Sequence, residues 1–121
     1  MAARRLIRPA AAGLLLLLAG CASTGTPDLY SWGSYEDIIY TGYSKPGEMP
    51  PERQAELLER DYQAARAANR RVPPGWHVQL GFVYYQLGRL DAAVQELQTE
   101  RAEYPESAVF VDRLLANLKR P

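Results

Sequence analysis

Apolar and polar positions recur at helical spacing through most of this chain, and the clearest run begins at Pro51. Ala55, Leu58, Tyr62, Ala65 and Ala68 follow one another at steps of three and four, the mark of a single apolar helix face. Arg53, Glu56, Glu59, Arg60, Arg66 and Arg70 fall on the other faces, where water solvates them. Pro51 suits a first helical turn, with Glu52 behind it, and Val72-Pro73-Pro74-Gly75 predicts the stop, because a residue before proline is pushed out of helical geometry. From Pro74 to Pro105 the pattern predicts two antiparallel helices, one from about Gly75 to Leu87 and one from Asp91 to Glu103. Gly88 closes the first, since a left-handed residue ends a helix and glycine takes that conformation without Cβ strain. Gly81 and Ala93 are small where the two helices would approach, with Leu80, Tyr84, Leu90, Val94 and Leu97 as bulk around them. Beyond Pro105, Ser107 is placed to cap a last helix whose apolar side is Val111, Leu114, Leu115 and Leu118. The fold class expected is all-α.

Upstream of Pro51 the pattern changes. Ser44 to Pro50 is a loop broken by Pro46, Gly47 and Pro50. Before it, Leu29 to Tyr43 crowds Tyr30, Trp32, Tyr35, Tyr40 and Tyr43 together, half of the chain's Tyr and Trp residues. Ser34 can cap a short helix from Tyr35, with Glu36 and Asp37 at its positive end and Gly42 as its stop. Three uses fit this aromatic cluster: packing across the hairpin to complete a small core, contact with a partner, or contact with a membrane interface, because Tyr and Trp join an apolar body to a polar tip.

The first 21 residues read differently again. Arg4, Arg5 and Arg8 precede an apolar run from Ala10 to Ala19, the layout of a secretory signal. That run is about ten residues, half of the roughly 20 a membrane-spanning helix needs, which favours cleavage. Leu18-Ala19-Gly20-Cys21 resembles the bacterial lipobox, and the resemblance implies that Cys21 receives a diacylglyceryl group and becomes the acylated N-terminus. Cys21 is the only cysteine, so no intramolecular disulfide competes for it. By the same resemblance, Ala22 after the cysteine implies release to the outer membrane. Ala22 to Asp28 is small, polar and broken by glycine and proline, as a spacer would be.

With the leader removed, 11 basic residues face 14 acidic ones, which argues against nucleic acid as a partner. Candidate chemistry is sparse. His77 is the only histidine, and no phosphate loop, HExxH or GxSxG occurs. His77 is expected near the Pro-Pro turn, bonded to backbone or solvent. Glu96, Glu100 and Glu103 stand at helical spacing, and such a run is ordinarily a solvated face. No catalytic residue, metal site, cofactor or small-molecule substrate is expected.

Leu80-Gly81, Tyr84, Gly88, Ala93, Leu97 and Pro105 resemble the signature of one tetratricopeptide repeat, a 34-residue helical hairpin. The chain departs from that signature where His77 stands for Trp, Leu97 for an aromatic and Glu100 for a small residue. The resemblance implies concave positions at Gln79, Phe82, Val83 and Gln86. Taken with the lipobox, the stretch Leu29, Tyr30, Trp32, Gly33 and Tyr35, then VPPGWHVQLGFVYYQLG and the late YPES, the chain also resembles a family of small proteobacterial outer-membrane lipoproteins, often encoded beside a lipoprotein similar to the curli secretion channel. This implies a lipid-anchored, periplasm-facing subunit of an outer-membrane lipoprotein assembly that binds envelope proteins, the channel-like lipoprotein among them. The organisation expected is a signal peptide over 1–20, a lipidated tether over 21–28, the Tyr/Trp-rich segment and loop over 29–49, and a tetratricopeptide-like helical domain over 50–121. Partner contacts are expected at Tyr30, Trp32, Tyr35, Gln79, Phe82, Val83 and Gln86. The alternative is a regulator that docks on a peptidoglycan-synthesising or peptidoglycan-hydrolysing enzyme.

Overall fold

The computed structural model describes residues 28–120, so the leader and Cys21 lie outside the described residues. Five α-helices account for most of the described chain: α1 (Tyr35–Ser44), α2 (Pro51–Ala67), α3 (Trp76–Gln86), α4 (Leu90–Glu103) and α5 (Ala108–Leu118). A 3-10 turn, Pro105–Ser107, joins the last two. The chain is all-α.

Local chemistry explains most helix ends. Pro51 occupies the first turn of α2. At the end of α3, Gly88 has φ +74, and the Gly88 and Arg89 amides turn back to the Tyr85 and Tyr84 carbonyls at 3.0 and 2.8 Å. This double closure is the Schellman motif. The same device ends α2, with Asn69 at φ 52 in the glycine's role and the Arg70 amide on the Ala65 carbonyl at 2.9 Å. Helix α2 therefore stops at Ala67, several residues before the prolines, because Asn tolerates the left-handed region. Ala68, expected on the apolar face, is consequently exposed.

Other caps differ from expectation. Neither Ser34 nor Ser107 places its hydroxyl on a helix amide. The Ser107 hydroxyl donates to the Tyr104 carbonyl at 2.7 Å, while the Ser34 amide donates to Asp61 Oδ2 at 2.6 Å. That long-range bond pins the start of α1 to α2. Gly42 does not end α1, which runs on to Ser44.

Helices α3 and α4 form an antiparallel hairpin. A Cβ added to Gly81 would sit 3.2 Å from the Ala93 carbonyl oxygen, so the small pair lets the backbones meet. The core lies between this hairpin, α2 and the inner side of α1, and contains Ile38, Leu58, Val72, Trp76, Leu80, Val83 and Ala93. Trp76 stacks on Tyr62 with ring centroids 5.4 Å apart. Leu90, the first residue of α4, is half-exposed rather than buried.

Ahead of α1 an extended strap crosses the α2–α3 connection. Tyr30 forms a parallel bridge with Arg71, and the Ser31 amide donates to the Arg71 carbonyl at 2.7 Å. Arg70 donates from one guanidinium nitrogen to the carbonyls of Asp28 and Tyr30. The Tyr104 hydroxyl donates to the Val72 carbonyl and holds the same connection from below. No described helix is long and apolar enough to cross a membrane.

Candidate functional site

Helix α3 is apolar on both sides. Trp76, Leu80, Val83 and Tyr84 form its buried side, while Val78, Phe82 and Tyr85 look outward. A helix apolar all round is normally covered on all sides. Here Phe82 is 53% and Tyr85 50% exposed.

The outward side faces α5. Phe110, Leu114 and Leu118 recur every four residues along α5 and, with Val78, Phe82 and Tyr85 opposite, wall a groove of about 420 Å³. Gly81 and Leu97 form its floor. Gln79 and Phe82 also line a second depression of about 500 Å³, closed on its far side by Ile39, Tyr43, Pro46 and Met49 and reached by Gln86. Ile39 and Tyr43 in turn border a shallow hollow with Trp32, Tyr35 and Tyr40. The three share lining residues and make one apolar band from Trp32 across Tyr43 and Phe82 to Phe110.

This band gathers several of the residues expected at a partner surface and excludes others. Gln79, Phe82 and Gln86 line it, and Trp32 and Tyr35 stand at its end. Val83 does not belong to it: its side chain is fully buried, three residues from Leu80 and seven from Trp76 on the core side of α3. Tyr30 is occupied within the fold, its ring edge-on to Trp32 and to Tyr104 at 6.2 and 6.3 Å. Tyr35 tilts against Trp32 at 6.3 Å, and its hydroxyl lies close to Gly75. Burial, then the negative charge of Glu100, raises the Tyr35 phenol pKa. Tyr85, Phe110 and Val78 were not anticipated. The available signal was that α3 and α5 each carry a second apolar stripe beyond the one a core requires.

Between the start of α3 and the later turns of α4 lies a cluster that sequence spacing places in water. Glu100 is buried, and its Oε1 accepts the Gly75 amide at 2.6 Å. His77 is buried too, with Nδ1 2.6 Å from Glu96 Oε2 and Nε2 3.5 Å from Glu103 Oε2. The rings of Trp76 and Tyr62 stand edge-on to the imidazole at 5.2 and 5.4 Å. The acidic stripe of α4 therefore faces α3 and fixes the start of that helix. The histidine is enclosed, with Nδ1 bonded to the Glu96 carboxylate rather than to backbone or solvent and Nε2 without a hydrogen-bond partner among the described residues.

On the opposite side of α3, Glu52, Glu56, Glu59, Arg60, Arg89 and Glu96 border a polar hollow of about 800 Å³. The Tyr84 hydroxyl donates to Glu59 Oε1 at 2.6 Å, under the Arg89 guanidinium 4.2 Å from the ring centroid. Burial first, and then this bond to a carboxylate, pushes the Tyr84 phenol far above its ordinary value. Among the described residues, no group of three or more His, Cys, Asp or Glu side chains is placed to hold a metal ion.

Compared with known proteins, the chain matches one family model, described as Domain of unknown function (DUF4810), over residues 29–114. That span runs from the strap to the middle of α5. Neither a curated protein nor a solved structure matches.

Proposed function

The chain belongs to the DUF4810 family, whose description states no function, and from the residues themselves we propose that it is a lipid-anchored, non-enzymatic interaction subunit of an outer-membrane lipoprotein assembly, facing the periplasm. The observation that carries this reading is the α3–α5 groove, where Phe82, Tyr85 and Phe110 each stay about half exposed around an apolar hollow. Covering the open half of each ring contributes on the order of 1 kcal/mol per residue to association. A groove between two helices accepts an apolar helix face with anchors one turn apart. The lipobox-like Leu18-Ala19-Gly20-Cys21 supports the anchor.

Within this reading the α3–α4 hairpin is a single tetratricopeptide-like unit, and α5 is the helix that follows it. The close approach of Gly81 to Ala93 and the closure at Gly88 support that assignment. The departures at His77 and Glu100 are both buried between the start of α3 and the end of α4, His77 on Glu96 and Glu100 on the Gly75 amide.

Crosslinking in intact cells, followed by purification of the lipidated chain from the envelope, tests the proposal. The first partner to seek is a lipoprotein similar to the curli secretion channel. Phe82→Ala and Phe110→Ala are expected to lose the crosslinked partner while keeping the helical spectrum of the wild type. Recovery of the same partners by both variants would refute the groove as the binding surface.

A further inference from the structure

The α1 end of the apolar band has a feature the groove lacks: it lies next to the point where the chain enters the fold. Ile38 buries the inner side of α1, whereas Tyr40 and Tyr43 on its outer side are 68% and 87% exposed. Trp32, just ahead of the helix, is 38% exposed, and Leu29 also faces solvent. None of the four is needed to complete the core.

We propose that this aromatic face rests on the lipid surface to which the chain is attached, in the plane where headgroups meet acyl chains. The inference depends on the lipid-anchor reading above, through Cys21, and three observations on the fold and the chain direct it to the α1 face. The first is distance. The strap fixes the entry point, because Arg70 holds the Asp28 and Tyr30 carbonyls and the Ser31 amide is bonded to Arg71. Asp28 follows Cys21 by seven positions, a reach of at most about 25 Å even when fully extended. Helix α1 is only about 15 Å long at the usual rise, and its Trp32–Tyr35 end adjoins the strap, with ring centroids 6.2 Å apart for Tyr30 and Trp32 and 6.3 Å apart for Trp32 and Tyr35.

The second is the chemistry of the face. Trp and Tyr settle where a ring can leave water while its polar tip stays hydrated, which is the headgroup level of a bilayer. Glu36, on the same side, is exposed and can remain in the headgroup water. The third is charge: the α1 sequence YEDIIYTGYS has no lysine or arginine. Docking by this face is therefore apolar and needs no anionic lipid. A short tether raises the effective concentration of the face at the bilayer to the order of millimolar. Even a weak intrinsic affinity then keeps most copies docked.

The chain supplies its own probe. Its two tryptophans are Trp32, on the proposed face, and Trp76, fully buried in the core. The lipidated protein is reconstituted into phosphatidylcholine vesicles with or without bromine on the acyl chains, and Trp32 emission is taken as the difference between wild type and Trp32→Phe. Bromine is expected to lower Trp32 emission about twofold or more while leaving Trp76 unchanged, as an interfacial ring requires. The loss is expected to be the same at about 0.1 M and about 1 M salt, since no screened charge is involved. Tyr40→Ser combined with Tyr43→Ser, both at exposed positions, is expected to restore most of the emission.

Two results would overturn the proposal while leaving the anchor intact. One is an acylated, vesicle-bound protein whose Trp32 is not quenched. The other is Trp32 shielded from a soluble quencher by a copurified envelope protein but not by vesicles. Mass spectrometry showing Cys21 without acyl groups would overturn the docking and the anchor together.

Discussion

The closeness of α3 and α4 is the structural claim most open to measurement, because a single methyl group reports on it. Gly81 and Gly42 are both helical glycines with ordinary backbone angles, so replacing either by alanine brings the same local gain of about 0.5–1 kcal/mol in helix propensity. Their surroundings differ. A Cβ at Gly42 meets nothing within 4 Å, whereas one at Gly81 lies 3.2 Å from the Ala93 carbonyl oxygen and 3.4 Å from side-chain carbons of Glu96 and Leu97. The carbonyl belongs to the backbone of α4 and cannot swing aside, so the crowding costs about 1–3 kcal/mol. Gly42→Ala should therefore stabilise the protein, while Gly81→Ala should range from neutral to about 2 kcal/mol less stable. The gap between the two, about 1–3 kcal/mol, isolates the packing whatever propensity scale is used. Urea unfolding of the chain from Ala22 onward, followed by Trp76 fluorescence, measures it. With a slope of roughly 1–2 kcal/mol per molar, the two midpoints should stand about 1 M apart. If Gly81→Ala raised the midpoint as much as Gly42→Ala, the helices would be farther apart than described and the hairpin geometry would be wrong.

Two further outcomes are expected. Arg70→Ala removes the clasp on the strap, so amide exchange at Ser31 should quicken sharply while the thermal midpoint moves little, because the core residues are untouched; unchanged exchange at Ser31 would mean that the β-bridge alone holds the strap. Burial pushes the Tyr104 phenol up to about 12 and raises those of Tyr35 and Tyr84, so the fold favours their neutral forms. Their contribution is complete below the ordinary phenol value near 10 and is lost as pH climbs toward 12. The drop in melting temperature between about pH 9 and pH 11 should shrink in Tyr84→Phe, and an equal drop in wild type and variant would remove Tyr84 as a cause.

The band and the buried cluster divide cleanly between what could be read locally and what could not. Helix starts and stops were legible wherever one residue type forces a backbone angle: Pro51 at the first turn of α2, Gly88 at the end of α3, Pro105 after α4. Asn69 ends α2 by the same geometry but is a weaker signal than the prolines behind it, so the expected helix was too long. The Gly81 and Ala93 pair was also legible, because small residues at matching places on two neighbouring helices imply close backbones.

What periodicity could not decide was which side of a doubly apolar helix turns inward. Val83 and Phe82 are adjacent and both apolar, yet one is fully buried and the other half exposed, because α2 and α4 together cover only one side of α3. The acidic stripe of α4 was misplaced for a related reason. Glu100 and His77 lie inside with one polar atom of each partnered across the hairpin, at Gly75 and Glu96, far away along the chain. Local sequence sets backbone angles over a few residues, and that determined the helices, their ends and their hairpin. Burial and hydrogen-bond partners depend on segments tens of residues apart, so only the tertiary structure decided which rings stay open to a partner and which carboxylates leave water.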